Sequence, residues 1–180
     1  MKTVIINGSP RMNGDTAALI DILKDAVHGE HKQFNVYDGS IRPCIDCRAC
    51  HVNDQCSIQD AFSELLDAID DADVIVLASP VYFSELTGPL LSVASRLQYV
   101  WVSNNIRHRP VISAKPRRGI IVLTGGGQGS VDKALHTATC LLRQMGAQSI
   151  DSVCSLHTDC LPARQDEEAK RTIRELADTL

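Results

Sequence analysis

Apolar residues alternate along this chain between short runs and longer stretches with helical spacing. The five short segments predict β-strands, and the run at 73–78 is nearly continuous, as in a central parallel strand covered on both faces. The longer stretches place apolar side chains such as Leu19, Ile20 and Leu23 on one helical face. The pattern predicts strands at 2–7, 33–37, 73–78, 119–123 and 148–153 and helices at 16–27, 61–69, 89–100, 131–145 and 166–177.

A strand followed by a helix, repeated five times, predicts an α/β domain with a parallel sheet between two layers of helices. Five strands favour the flavodoxin-like three-layer sandwich, with strand order 2-1-3-4-5, over a six-stranded dinucleotide-binding fold. In that order a ligand binds at the carboxyl ends of strands one and three, where the chain reverses direction. We expect residues 1–180 to form a single domain, with a cysteine-containing loop inserted at about 41–59.

Composition and charge exclude several classes of protein. The chain has 180 residues, 44% of them hydrophobic, and a formal net charge of −4. No apolar run approaches the roughly 18–20 residues of a membrane span, and residues 1–8 predict a first strand rather than a secretory signal. Basic residues at 107–118 surround two prolines and fit a solvated loop better than a nucleic-acid surface. We therefore expect a cytoplasmic protein that binds neither membranes nor nucleic acid.

Four of the seven cysteines are close together, with the spacing C-x2-C-x2-C-x5-C. A short loop with this spacing can wrap a [4Fe–4S] cluster and present each thiolate to a different iron. Structural zinc is a second interpretation, although zinc sites usually join two separated pairs of ligands. Free thiols without a metal are the third. The candidate ligands are Cys44, Cys47, Cys50 and Cys56, whereas Cys140 lies in an apolar helical stretch and is expected in the core.

The segment after the first strand has the residues of a phosphate-binding turn. Backbone amides at a helix N-terminus, with the side chains of Ser9, Asn13 and Thr16, can hold a dianionic phosphate. The segment is not a Walker loop, which needs Gly-Lys-Ser/Thr, and it lacks the G-x-G-x-x-G that favours a pyrophosphate. A single terminal phosphate fits FMN better than ATP or NAD. The simpler alternative is an ordinary turn in which Asp15 caps the helix.

Two further loops follow strands three and four. Tyr82 and Phe83, adjacent aromatic residues after strand three, could pack near a flavin ring or simply anchor the loop. Gly125–Gly127, three consecutive glycines after strand four, indicate either a close approach of the backbone to a flat ring edge or a flexible turn.

With these motifs the chain resembles the flavodoxin-fold family of NAD(P)H-dependent FMN reductases, and especially its iron–sulfur flavoprotein branch. The resemblance rests on Asn-Gly-Ser-Pro-Arg at 7–11, Ala-Ser-Pro-Val-Tyr-Phe at 78–83, Thr-Gly-Gly-Gly at 124–127 and the compact cysteines. It implies phosphate contacts from Ser9, Arg11, Asn13 and Thr16 and flavin-ring contacts from Pro80, Val81, Tyr82, Phe83, Thr124, Gly125 and Gly126. It also implies NAD(P)H as co-substrate and a homodimer or homotetramer, for which Trp101 is a candidate interface anchor.

The chain departs from the pattern of that family at three positions. Asp15 replaces the usual Asn and puts a carboxylate near the phosphate, so it must point away for tight binding. Leu91 replaces the usual Lys, and Ser95 replaces an Asp that commonly precedes Arg96. We therefore expect the helix after strand three to pack differently at a subunit contact.

No residue pattern marks a nucleophile or an acid–base pair, so the chemistry is expected to belong to a cofactor. We expect an oxidoreductase that passes electrons from NAD(P)H or a reduced carrier through FMN to a small-molecule or protein acceptor, with a cluster as its one-electron centre. The alternatives are a cluster-free NAD(P)H:FMN or quinone reductase and a non-catalytic, flavodoxin-like electron carrier. A strongly acidic rim around the flavin would favour the carrier, and a net charge of −4 is only mildly acidic.

Overall fold

The computed structural model of the chain describes residues 1–127 and 129–180. Five parallel strands form one sheet in the order β2-β1-β3-β4-β5, which confirms the predicted flavodoxin-like topology. The strands are β1 Lys2–Asn7, β2 Glu30–Asn35, β3 Val74–Pro80, β4 Arg117–Gly125 and β5 Ala147–Leu156. The helices are α1 Asp15–Ala26, α2 Phe62–Asp71, α3 Gly88–Ala94, α4 Gln98–Asn105, α5 Asp132–Gln144 and α6 Glu167–Ala177.

Two apolar layers hold the sheet between the helices. Side chains of the central strands alternate between these layers, so Ile5 and Val76 pack with α1 and α6, whereas Ile6 and Leu77 pack with α2–α5. All four are at most 2% exposed. Burial of each such side chain contributes about 1.5–3 kcal/mol. Because both faces of these strands are covered, they have the nearly continuous apolar runs from which they were predicted.

The predicted helix at 89–100 is divided in the structure. A 3₁₀ turn at Ser95–Leu97 separates α3 from α4, and α4 continues to Asn105. Ser95 Oγ donates to the carbonyl oxygen of Ser92 at 2.6 Å, a contact of the kind that bends helices. The side chain of Arg96, next on this turn, is buried. The division thus coincides with a local hydrogen bond of Ser95 and with the burial of Arg96.

The basic segment at 107–118 is not one continuous loop. Arg117 and Arg118 are the first residues of β4, where Arg117 is fully buried and Arg118 pairs with Asp151 at 2.8 Å. Arg107 pairs with Asp54. These cations are thus engaged within the fold rather than gathered on an open surface. Across the two described ranges, no helix is both long and apolar enough to cross a membrane.

Candidate functional site

The turn after β1 is held tightly between β3 and α3. The amide of Gly8 donates to the carbonyl oxygen of Ala78 at 2.7 Å, and Thr87 Oγ1 donates to the carbonyl oxygen of Gly8 at 2.8 Å. A Cβ atom on residue 8 would lie 2.8 Å from Leu90 Cδ2 and 3.0 Å from the oxygen of Ala78. Only glycine allows this approach, which fixes the start of the turn at the carboxyl edge of the sheet.

Buried hydroxyl groups line the inside of this turn. Ser9 is 4% exposed, and its Oγ accepts a hydrogen bond from the amide of Arg11 at 3.2 Å. Thr16 Oγ1 lies 2.7 Å from Thr124 Oγ1, and both threonines are buried. The threonine pair joins the first turn of α1 to the end of β4.

The N-terminus of α1 is open to an anion. Its N-cap residue, Gly14, makes no side-chain capping bond, and the amides of a first helical turn have no acceptor inside the helix. The helix dipole also favours negative charge at this end. Together with the hydroxyl groups of Ser9 and Thr16, this open helix end fits a phosphate group.

The carboxylate of Asp15 is hydrogen-bonded to a segment far away in the sequence, and Asp15 is not the N-cap of α1. Its Oδ1 accepts a hydrogen bond at 2.8 Å from the amide of Ala163, in the segment that follows β5. The carboxylate therefore ties α1 to that segment, and the interpretation of Asp15 as a simple helix cap is wrong.

A pocket of about 340 Å³ opens beside this helix end, at the carboxyl ends of β1, β3 and β4. It brings together all the predicted FMN contacts except Asn13 and Phe83. The predicted residues that line it are Ser9, Arg11, Thr16, Pro80, Val81, Tyr82, Thr124, Gly125 and Gly126. Asn13 instead lines the adjoining groove on the outer side of α1, which it shares with Arg11.

Phe83 lies at the tip of a tight hairpin outside the pocket. Tyr82 and Glu85 exchange backbone hydrogen bonds of 2.9 and 3.0 Å, and the two residues between them, Phe83 and Ser84, have φ angles of 53° and 61°. A bulky residue in this left-handed region costs about 1–3 kcal/mol. The side chain of Phe83 is fully exposed at this tip.

The pocket also contains residues that the sequence did not predict. Thr158 and Asp159 follow β5 and line the pocket beside the glycine loop. The amide of Thr158 donates to the oxygen of Gly125 at 3.0 Å, and a Cβ atom on residue 126 would lie 2.5 Å from Asp159 Oδ1. The carboxylate of Asp159 thus lies directly against the backbone of Gly126, and a larger residue at 126 would require that side chain to move.

The four clustered cysteines line a second pocket, of about 110 Å³, between their loop and α4. The loop turns sharply within the motif, since Asp46 and Arg48 have φ angles of 48° and 58°. These two turns flank Cys47, and a 3₁₀ turn at Ala49–His51 follows. The four cysteine side chains line one pocket around these turns.

Contacts from α4 and from Arg107, just after it, hold the end of the cysteine loop. Tyr99 Oη donates to the carbonyl oxygen of Asp54 at 2.6 Å, and the guanidinium of Arg107 binds the carboxylate of the same residue. The ring of Trp101 and the side chain of Arg96 line the same pocket. The loop is thus fastened to the protein by side chains that lie far from it in the sequence.

Two thiols of the loop have displaced pKa values. The hydroxyl of Ser57, whose Oγ lies 3.0 Å from Cys47 Sγ, and the amide of Ala49 lower the pKa of the Cys47 thiol. Burial raises the pKa of the Cys50 thiol, and the neighbouring thiols of the motif raise it further.

The same arrangement does not form a preassembled site for one ion. Among residues 1–127 and 129–180, no three Cys, His, Asp or Glu side chains converge where a single metal ion could bind them. What the four cysteines share is therefore the lining of one pocket. Cys140 lies outside this pocket and is exposed on α5, so its predicted core position is wrong.

The sequence profile of the NADPH-dependent FMN reductase family matches residues 1–159. An iron–sulfur flavoprotein of Methanocaldococcus jannaschii is 32% identical over 112 residues, which cover 61% of this chain and 58% of that protein. An iron–sulfur flavoprotein of Archaeoglobus fulgidus is 30% identical over 132 residues, which cover 71% of this chain and 57% of that protein. The chain thus spans less than three-fifths of the length of these two relatives.

The fold is also similar to a crystal structure of an FMN-dependent NADH-azoreductase from Bacillus anthracis in complex with FMN. The TM-score is 0.68 with 16% identity, and the match covers 99% of each chain. At this identity the similarity concerns the fold alone. Because the family profile matches nearly the whole chain, as its motifs predicted, the protein belongs to the NADPH-dependent FMN reductase family.

Proposed function

We propose that the protein is an FMN-dependent oxidoreductase that takes electrons from NAD(P)H, or from a reduced carrier, and passes them to a small-molecule or protein acceptor. The observation that carries this proposal is the pocket in which an open helix N-terminus and buried hydroxyls lie beside two loops at the carboxyl edge of the sheet. FMN has one phosphate at one end and a flat ring at the other, which matches this arrangement.

Each wall of the pocket has a distinct role in this proposal. Ser9, Thr16 and the first amides of α1 bind the phosphate, and Arg11 adds a charge-assisted contact. The segments Pro80–Tyr82 and Thr124–Gly126 border the ring. Bound FMN supplies hydride and single-electron transfer. Contacts from Asn13 and Phe83 stay predictions that require their side chains to turn toward the pocket.

We further propose that the cysteine loop holds a [4Fe–4S] cluster through Cys44, Cys47, Cys50 and Cys56. The shared pocket of the four thiols supports this assignment, as does the similarity of the chain to the two archaeal iron–sulfur flavoproteins. Arg48 and His51 line the same pocket, and positive charge near a cluster raises its reduction potential. Thiols of this kind stay reduced in the cytoplasm, which is the localisation we propose.

Anaerobic purification followed by spectroscopy tests the flavin assignment. We expect about one FMN per chain, released by acid as FMN rather than FAD, and bleaching of its absorption when NADPH or NADH is added. Release of FAD, or no flavin affinity on titration, would contradict the proposal. Binding of FMN without reduction by either nucleotide would instead favour the non-catalytic electron carrier.

Replacing Cys56 by Ser is expected to remove most of the iron from the protein while FMN binding is kept. The wild-type protein, reconstituted with iron and sulfide without air, should bind about four irons per chain, because a cubane has four. Cys140→Ser is the matched control. Cys140 is exposed on α5 outside the loop, so this substitution should leave iron uptake unchanged. Equal iron content in wild-type and Cys56→Ser protein would favour the cluster-free reductase.

We also propose that the chain forms a homodimer or homotetramer. Phe83 is fully exposed beside the FMN pocket, and Tyr82 and Trp101 are each 45% exposed. Large aromatic side chains of this kind commonly anchor interfaces. Light scattering should show an oligomer for the wild-type protein and a smaller species for a Phe83→Asp, Trp101→Asp double variant. Leu161→Asp, a change at another exposed apolar residue, serves as the control, and a wild-type monomer would overturn this part of the proposal.

A further inference from the structure

We propose that the turn at Ser95–Leu97 fixes the first and last cysteines of the loop, with Arg96 as the positioning residue that holds Cys56 and tunes the cluster bound there. The inference rests on the proposed cluster and concerns residues outside the cysteine pattern. The two neighbours on this turn contact opposite ends of that pattern. Ser95 Oγ accepts a hydrogen bond from the amide of Cys44 at 2.9 Å, and Arg96 Nη2 donates to Cys56 Sγ at 3.4 Å.

The guanidinium of Arg96 also closes the base of the cysteine loop. Its Nη1 donates to the carbonyl oxygen of Arg42 at 3.0 Å, and its Nη2 donates to the carbonyl oxygen of Ile58 at 3.1 Å. Arg42 precedes the first cysteine and Ile58 follows the last, so one planar group ties the two ends of the loop together. Asp60 pairs with Nη1 at 2.8 Å and accepts from the amide of Arg42 at 2.9 Å, which completes the closure.

Arg96 has little freedom to leave this position. Its side chain is 1% exposed, and its guanidinium lies 4.4 Å from the ring centroid of Phe62. Its Nε is buried without a hydrogen-bond partner in the described part of the chain. The side chain of Arg96 is therefore fixed at the edge of the cysteine pocket, which it lines.

The contact with Cys56 has an electronic consequence as well as a geometric one. Hydrogen bonds to the sulfurs of a cluster and nearby positive charge favour its reduced, more negative state, and so raise its reduction potential. A lysine at position 96 would keep the charge, but its compact ammonium group cannot span both carbonyl groups and the sulfur as a planar guanidinium does. Arg96→Lys therefore separates the positioning role from the mere presence of charge.

Arg117 offers a matched control within the chain. Its side chain is also fully buried, and it binds the carbonyl oxygen of Ile69 and the carboxylate of Asp70. It does not line the cysteine pocket. Arg117→Lys thus reproduces the general cost of shortening a buried arginine without touching the loop.

Hydrogen–deuterium exchange on the full-length, cluster-free protein tests the closure of the loop. We expect amides at 42–60 to exchange at least about tenfold faster in Arg96→Lys than in the wild-type chain, because local opening becomes easier. Arg117→Lys should leave this segment within about twofold of the wild-type rate. Equal exchange at 42–60 in Arg96→Lys and wild-type protein would overturn the positioning role.

A redox titration of the reconstituted proteins, followed by the signal of the reduced cluster, tests the tuning. In Arg96→Lys we expect the ratio of reduced to oxidised cluster at a fixed potential to fall about tenfold, which is a shift of about 59 mV for a one-electron couple. Arg117→Lys should show the wild-type ratio, and a wild-type ratio in Arg96→Lys would overturn the tuning. If the wild-type chain takes up no iron, the cluster assignment fails with the tuning, and the exchange measurement alone decides whether Arg96 closes the loop.

Discussion

Replacing Asp60 by Asn is expected to destabilise the folded chain by about 3–5 kcal/mol, because removing one partner of a buried ion pair leaves an uncompensated charge. The side chains of Asp60 and Arg96 are 8% and 1% exposed, and they meet at 2.8 Å. Asn has almost the same shape as Asp, so the change removes charge with little change of volume. Urea denaturation of the cluster-free protein measures the effect.

The ion pair of Asp151 and Arg118 provides the control for this prediction. Its atoms also meet at 2.8 Å, but its side chains are 35% and 29% exposed. A solvent-accessible pair contributes only about 0–1 kcal/mol, so Asp151→Asn should have a small effect. Similar losses for both substitutions would show that burial does not strengthen the contribution of Asp60.

The same carboxylate should make stability depend on pH. Burial raises the pKa of Asp60, but hydrogen bonds from the amides of Arg42 and Phe62 and from the guanidinium of Arg96 outweigh it and hold that pKa below its usual range. The unfolded chain therefore binds this proton more readily than the folded chain. The contribution is present above the unfolded pKa of about 3.9 and is lost as the pH falls from there toward the folded pKa. Between pH 6 and 3, the free energy of unfolding measured by urea denaturation should thus fall more steeply for the wild-type protein than for Asp60→Asn.

The elements that were predicted correctly are those whose bounds are set by residues close to them in the sequence. The bounds of β1 agree with the prediction, since its apolar run ends at Gly8, whose position is fixed by close contacts with Ala78 and Leu90. The predicted start of the last helix at 166 agrees with the structure as well. Asp166 Oδ1 accepts a hydrogen bond from the amide of Ala169 and so caps the N-terminus of α6. Caps and buried strands leave a pattern within a few residues, and such patterns can be read without a structure.

The division of the helix after β3 could not be predicted in this way. The turn that divides it carries Arg96, whose partners Arg42, Ile58 and Asp60 lie far away in the sequence. An arginine among apolar residues reads as an exposed position, because arginine is seldom fully buried. Only the folded loop provides the carbonyl and carboxylate groups that make its burial favourable.

The candidate FMN pocket shows the same difference between local and distant signals. The turn after β1 and the loops after β3 and β4 have recognisable residues, whereas Thr158 and Asp159 after β5 belong to no motif. Their place could have been inferred from topology alone, because β5 pairs in parallel with β4 and its carboxyl end meets the same edge of the sheet. The predicted core position of Cys140 was wrong for another reason. Helix α5 is amphipathic, and its buried face is formed by Ala134, Ala138 and Leu142.

Removing two hydroxyl groups from the phosphate-binding turn should nearly abolish FMN binding. In a Ser9→Ala, Thr16→Val double variant we expect the dissociation constant of FMN to rise at least about a hundredfold, because each hydrogen bond to a charged acceptor contributes about 1.5–3 kcal/mol. Val has the shape of Thr, so Thr16→Val removes the hydroxyl without leaving a cavity. It also leaves Thr124 Oγ1 without the partner that now lies 2.7 Å away.

Fluorescence titration of the apoprotein with FMN measures this loss, and titration with riboflavin, which has the same ring without the phosphate, identifies its cause. If Ser9 and Thr16 bind the phosphate, the double variant should bind riboflavin about as well as the wild-type protein does. Thr172→Val is the control, because its hydroxyl donates to the carbonyl oxygen of Glu168 on α6, outside the pocket. An equal loss of affinity for riboflavin and FMN would mean that the turn shapes the whole pocket and does not bind the phosphate.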